Sequence, residues 1–241
     1  MSILRSQVRQ ELTIMARNGE QLLLLIGIPL LLLVFFSQTD FLPTGNQNAI
    51  DFLMPGVLAL AIMSTAMVSL GIATGYERSY GVLKRLGTTP LGTKRLVTAK
   101  IIATCCIEIV QLTLLIIVGF LFGWNPTHID YLKIFLILII ATSCFGGIGL
   151  TLAGRLRAEV NLAAQNGLYL LFMLFGGVVV STDELPKQVD AVAQILPSAL
   201  LSQILRDIFN NATLNLISVF GLCGWAVAAC GIAAISFKWS D

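Results

Sequence analysis

Apolar residues gather in long blocks along this chain, at 21–36, 53–76, 97–124, 132–153, 162–180 and 214–237, with short polar stretches between them. A helix rises about 1.5 Å per residue, so about twenty residues cross the roughly 30 Å of bilayer hydrocarbon. The blocks are too long for barrel strands and do not alternate with a period of two. Backbone groups in lipid must find their partners within the segment, so each block predicts a helix. The expected fold is an all-α integral membrane protein, a single domain over residues 1–241 with six transmembrane helices.

Two flanking stretches carry a different pattern. In residues 1–20, Ile3, Leu4, Val8, Leu12 and Met15 share one helical face, and Arg5, Arg9 and Arg17 supply cations. This predicts an amphipathic helix lying flat at the membrane surface before the first span. The stretch has no apolar core, so it does not read as a cleavable signal. The long connection 181–213 holds Asp183, Glu184, Pro186, Pro197 and Arg206. Val189, Val192, Ala193 and Leu196 keep helical spacing before Pro197, and Leu200, Leu201, Ile204, Leu205 and Ile208 keep it afterwards. Both pieces are too short to span, which predicts two short re-entrant helices ahead of the last span.

Charge sets the orientation. The chain is 56% hydrophobic and 12% charged, with a net charge of +2. The N-terminus, second loop, fourth loop and C-terminus collect Arg5, Arg9, Arg17, Arg78, Lys84, Arg85, Lys94, Arg95, Lys100, Arg155, Arg157 and Lys238. The opposite side keeps Lys133, Lys187 and Arg206. The positive-inside rule then places both termini in the cytoplasm. Residues 77–96 become the main cytoplasmic loop, with five of the fifteen Lys and Arg. Within and beside it, Tyr76, Tyr80, Leu83 and Leu86 recur at helical spacing. Gly87 can end such a helix and Pro90 blocks its continuation. Two readings stay open from the residues alone: an interfacial loop on anionic headgroups, or a recognition helix.

Catalytic patterns are missing. His128 is the single histidine, so no zinc pair exists. Cys105, Cys106, Cys144, Cys223 and Cys230 lie in apolar runs without metal-ligand spacing and read as unpaired thiols. No lysine follows a glycine, so the chain holds no P-loop for a nucleotide. No metal or cofactor is expected in this chain, and no nucleic-acid partner. Glu108 and Gln111 are polar groups inside the third span. A carboxylate at helix centre costs about 2.5–3.5 kcal/mol, so Glu108 should face a bundle interior or a water path. It serves either substrate passage or a hydrogen bond between helices. Gly71 and Gly75, and Gly119 and Gly123, permit close helix approach, and Pro29 predicts a kink in the first span.

Glu77-Arg78-x-x-Gly81-x-Leu83-Lys84-Arg85-Leu86, followed by Thr89-Pro90-Leu91 and Lys100, resembles the signature of type-2 ATP-binding-cassette exporter permeases. That family includes daunorubicin-resistance-like drug exporters and polysaccharide or teichoic-acid exporters. The resemblance extends over essentially the whole chain; Ser79-Tyr80 departs from it, where many relatives carry more charge. It implies a half-transporter without its own ATPase, in a bacterial inner membrane. A second permease copy and separate cytoplasmic ATPase subunits, which carry ATP and Mg, complete the assembly, with membrane lipids around it. Glu77, Arg78, Gly81, Lys84 and Arg85 become the ATPase-coupling residues, with further contacts from Arg155, Arg157 and Glu159. The cargo expected is a hydrophobic or amphipathic compound. The alternatives are a lipid-linked glycan exporter of the same family, or an ion-coupled carrier or intramembrane enzyme built on Glu108.

Overall fold

The computed structural model describes residues 3–37, 49–89, 91–176 and 194–236, and every regular element among them is helical. Helix α1, Ile3–Arg17, meets α2, Gly19–Ser37, at a 74° bend. Asn18 sits at the corner. Its Oδ1 accepts the backbone N–H of Gln21 at 3.2 Å, which satisfies a donor that the first turn of α2 leaves open. Next, α3 (Ala49–Met63), a π-helical turn (Ser64–Ser69) and α4 (Leu70–Ser79) follow one another as a single rod. Then come α5 (Val82–Gly87), α6 (Gly92–Leu121), α7 (Tyr131–Ala153) and α8 (Ala158–Phe175). Helix α9 (Pro197–Phe209) and α10 (Leu216–Ser236) complete the described chain.

Four of these are long and apolar enough to cross a bilayer: Ile50–Ser79, Gly92–Leu121, Tyr131–Ala153 and Leu216–Ile235. The bent α1–α2 pair makes a fifth if counted as one span. Six were expected. The difference lies at α8, which opens with Glu159, Asn161, Gln165 and Asn166 and is described only to Phe175. Those polar side chains dilute its hydropathy, and the rest of the predicted 162–180 block lies outside the described residues.

The rod α3–π–α4 forms the centre. Its most apolar stretch is 78% buried, against 33% for α6 and 28% for α10, whose outer faces are left for lipid. Met54, Leu58, Ile62, Met63 and Met67 are enclosed by α2, α6, α7, α8 and α9. Lipid tails are as apolar as leucine, so close backbone approach must do much of the work of holding such helices together. Helix α7 supplies it through two glycines. A Cβ on Gly147 would lie 2.7 Å from the backbone nitrogen of Cys230 in α10, and one on Gly149 would lie 2.6 Å from the carbonyl of Met67 in the π turn. The Gly71 and Gly75 pair faces α8 of the same chain. There the amides of Gln165 and Asn161 occupy the space two side chains would need. Gly119 packs on Met54, and Gly123 ends the α6 region with a φ of 88°.

Helix α9 falls on the second of the two predicted short helices and, at thirteen residues, is too short to span. Pro197 opens it, where a missing N–H costs nothing, and its thirteen residues pack against α3, α7, α8 and α10. The first predicted piece, built on Val189, Val192, Ala193 and Leu196, lies almost wholly outside the described residues. The end of α9 meets the beginning of α3 and the end of α6. The Arg206 guanidinium lies 4.6 Å from the centre of the Phe52 ring, and Trp124 packs between Phe120 and Phe209 at 5.4 and 5.0 Å.

Candidate coupling elbow and ligand cleft

The predicted loop helix is present in shortened form as α5: Leu83 and Leu86 lie in it, while Tyr76 belongs to α4 and the chain breaks at Tyr80–Gly81. The chain leaves α4 through Tyr80 and Gly81, whose φ of 72° is a left-handed conformation that glycine adopts without penalty. Leu83, Leu91 and Leu96 are buried together with Leu86 beside them, and this small core fastens α5 to the start of α6. The hydroxyls of Thr88 and Thr89 donate to the carbonyls of Arg85 and Leu86 at 2.7 and 2.6 Å, closing the end of the helix. Lys84 and Arg85 are exposed, so α5 presents its cations outward. Tyr76 and Tyr80 stack with ring centres 6.0 Å apart, one helical turn apart in sequence.

Glu77 and Arg78 have inward partners. Lys100 Nζ donates to Glu77 Oε2 at 2.8 Å and Oε1 at 3.1 Å, and to Glu11 Oε2 at 3.0 Å. Gln7 Nε2 donates to the other Glu11 oxygen at 2.8 Å. The Lys100 side chain is 1% exposed, which makes this an enclosed carboxylate–ammonium–carboxylate triad. Neighbouring Arg78 points to another helix: its two terminal nitrogens donate to the carbonyls of Ala153 and Leu156 at 2.9 and 2.7 Å. The fork satisfies the carbonyl of Ala153 at the end of α7 and that of Leu156 in the turn beyond it. Consecutive residues at the end of α4 thus tie the elbow to α1 and α6 on one side and to the α7–α8 turn on the other. Arg155 and Arg157 in that turn, and Glu159 in the first turn of α8, are exposed.

This arrangement changes the reading of α1. Helix α1 packs mainly on α6; Leu4, Val8, Leu12 and Met15 are half-buried, while Ile3 is exposed. Gln7 and Glu11, one turn apart, are the buried residues of the helix because Lys100 draws them in. A polar pair at that spacing within an amphipathic pattern was the available signal.

The polar groups inside the bundle also pair. Gln111 Nε2 donates to the carbonyl of Leu25 at 2.7 Å and its Oε1 accepts from Thr65 at 2.8 Å, so it joins α2, α6 and the π turn. Glu108 is fully buried and accepts the Thr142 hydroxyl. Its other oxygen has no partner among the described residues. Sequence reasoning missed Asn161 and Gln165. Their amides donate to the carbonyls of Gly71 and Gly149, each at 2.9 Å. Among the described residues no group of three or more His, Cys, Asp or Glu could hold a metal ion, and all five cysteines are free thiols.

A cleft of about 590 Å³ opens between α2, the π turn with α4, and α8. Leu24, Leu25, Ile28, Pro29, Val68 and Ile72 make its apolar wall. Asn18, Glu20, Gln21 and Tyr76 line the end nearest the α1–α2 bend, with Tyr169 and Asn166 contributed by α8. Glu108 is not among the lining residues.

Comparison with known proteins places this architecture. The family model described as ABC-2 type transporter matches residues 4–210, and the chain belongs to that family. It is 26% identical over 206 residues to the "Putative transport permease YvfS" of Bacillus subtilis (strain 168), covering 82% of each chain. It is 25% identical over 202 residues to the "Probable multidrug ABC transporter permease YbhS" of Escherichia coli (strain K12), covering 80% of this chain and 53% of that one. It is also 25% identical over 168 residues to "ABC transporter G family member 20" of Dictyostelium discoideum, covering 68% of this chain and 23% of that one. The chain therefore spans most of the Bacillus relative but only about half of the Escherichia coli one.

Proposed function

We propose that this chain is the membrane permease of an ATP-driven exporter. It moves a hydrophobic or amphipathic compound outward with work supplied by a separate cytoplasmic ATPase. The supporting observation is the elbow. Lys84 and Arg85 stand exposed on a six-residue helix, while Glu77 and Lys100, before and after it in sequence, bond each other. A short helix fixed in this way transmits a push to α1, α4, α6 and, through Arg78, α7 instead of folding away from it. In this reading Lys84 and Arg85 meet the ATPase, while Glu77, Arg78 and Gly81 fix the shape and footing of the contact. The elbow and both termini are cytoplasmic, the membrane is a bacterial inner membrane, and two permease copies pair. ATP and Mg belong to the partner subunit.

The cleft favours a compact amphiphile over a long sugar chain, because much of its wall is leucine, isoleucine, valine and proline. An ion-coupled carrier working through Glu108 has less support, since that carboxylate is enclosed against Thr142 and away from the cleft. The test is the double variant Lys84→Glu/Arg85→Glu, assembled with the ATPase. Both residues are exposed, so Tm should hold. Cargo-stimulated ATP hydrolysis should fall at least tenfold, or the ATPase should no longer co-purify. Normal assembly and normal stimulation in that variant would sink the proposal.

A further inference from the structure

The cleft between α2, the π turn with α4, and α8 carries a charge preference. Among the described residues that line it, Glu20 is the one charged group, and none is a lysine or arginine. Glu20 makes no ion pair or hydrogen bond to another described residue. Two phenol rings, Tyr76 and Tyr169, belong to the same lining. Beyond them the wall turns apolar, from Leu24 and Leu25 to Ile28 and Pro29 on α2 and along Val68 and Ile72 on the rod. A carboxylate attracts a cation through charge, and a phenol ring attracts one through its negative face. An apolar wall accepts a hydrocarbon body. The volume of about 590 Å³ lies within the range of sites for compounds of drug size.

We propose that this cleft binds an amphipathic organic cation, with its charged group between Glu20 and the two tyrosines and its apolar body along α2. Glu20 is the residue that selects the charge; the helix wall selects for hydrocarbon and is indifferent to sign. The proposal rests on the exporter reading only in naming this ligand as cargo, because the binding itself needs neither ATP nor a partner. Glu20 also stands in the first turn of α2, where an acid favours the helix dipole. That role predicts a small effect on stability and none on which ions bind, so the two roles separate in a binding measurement.

Tetraphenylphosphonium and tetraphenylborate have nearly the same shape and opposite charge, and they serve as the probes. The full chain is placed in phosphatidylcholine nanodiscs, and the saturable part of binding is measured after subtraction of empty discs. The cation should bind at least about tenfold more tightly than the anion, the scale of one charge-assisted cation site. Glu20→Gln should erase that preference, and Glu20→Lys should reverse it, with Tm nearly unchanged because the side chain is exposed. Tyr169→Leu should weaken cation binding several-fold and leave the anion alone. Equal affinity for both ions, a Glu20→Gln variant that keeps its preference, or no saturable binding of either ion would each overturn the proposal. Cation-selective binding in a chain that never associates with an ATPase would instead overturn the exporter reading and leave this site standing. A chain that couples to an ATPase and shows no charge preference would do the reverse.

Discussion

Lys100 and Glu77 are twenty-three positions apart in sequence, yet the ammonium nitrogen of one lies 2.8 Å from a carboxylate oxygen of the other. Everything the elbow exposes lies between them. Glu11 completes the contact from α1, so three segments of the chain meet on one nitrogen.

Lys100→Met should be severely destabilising. It leaves two carboxylates facing each other where the lysine was, and breaking an enclosed ion pair from one side costs about 3–5 kcal/mol. The partial exposure of Glu77 puts the expected loss at the lower end of that range. Adding Glu11→Gln and Glu77→Gln to the same chain should recover much of it. Thermal unfolding of the single and triple variants in detergent measures both effects. Glu77→Lys belongs with this group: it places a second ammonium beside Lys100 and should lower stability together with coupling.

Arg78→Lys keeps the charge and loses the fork. A single ammonium cannot reproduce two directed bonds to Ala153 and Leu156. The expected loss is about 1.5–3 kcal/mol, the range for hydrogen bonds to a charged group. Hydrogen exchange should speed up at 154–158 while the middle of α7 stays protected.

Gly147→Ala and Gly149→Ala should each cost about 1–3 kcal/mol, because the new methyl group meets backbone atoms of α10 or of the π turn. Gly27→Ala is the control. Its added Cβ meets nothing within 4 Å, so the variant should be neutral or slightly more stable through helix propensity. A scan of Tm over the three variants checks the order.

Asp130 caps α7. Its Oδ1 accepts the backbone N–H of Lys133 at 3.1 Å, and its Oδ2 lies 3.1 Å from the Lys133 ammonium. The backbone bond first, and the ammonium after it, hold the carboxyl below the usual carboxylate range. A lowered native value means that the unfolded chain takes up the proton first as the solution is acidified. The stabilisation is therefore whole above the ordinary carboxylate value of about 4 and is lost as pH falls through the lowered native one. Asp130→Asn should flatten that acid limb in a plot of Tm against pH: Tm falls slightly at pH 7, where the stabilisation is present, and matches the parent chain at low pH, where it is already lost.

The long apolar helices were legible in the sequence because lipid imposes one simple demand, an unbroken run of hydrocarbon. The predicted block 132–153 and the observed Tyr131–Ala153 nearly coincide for that reason. The short helix α5 was legible in part, through Gly87 and the leucine spacing, but the break at Tyr80–Gly81 was not. Partner choice was not. Glu77 and Arg78 are adjacent charges in the same loop motif, and nothing local says that one turns to Lys100 and the other to the carbonyls ending α7. The sequence did contain two matched spacings: Asn161 and Gln165 one turn apart in α8, and Gly71 and Gly75 one turn apart in α4. Each has an ordinary explanation alone, and only packing shows them to be a plug and its socket. The cleft was not legible, because Asn18, Glu20 and Gln21 read as the polar border of a span until the bend at Asn18 brings them into one cleft with the π turn and α4.

The wide turn at Ser64–Ser69 sets a phase. Each residue advances an α-helix by about 100°, and a π turn lodges an extra residue within the same rod. Deleting one residue there to restore regular winding would rotate one half of the rod by about that angle against the other. Met54 and Leu58 could keep their azimuth toward the core, or Glu77 and Arg78 could keep theirs toward Lys100 and Ala153, but both could not. The irregular turn is what lets a single helix answer to two differently oriented sets of neighbours.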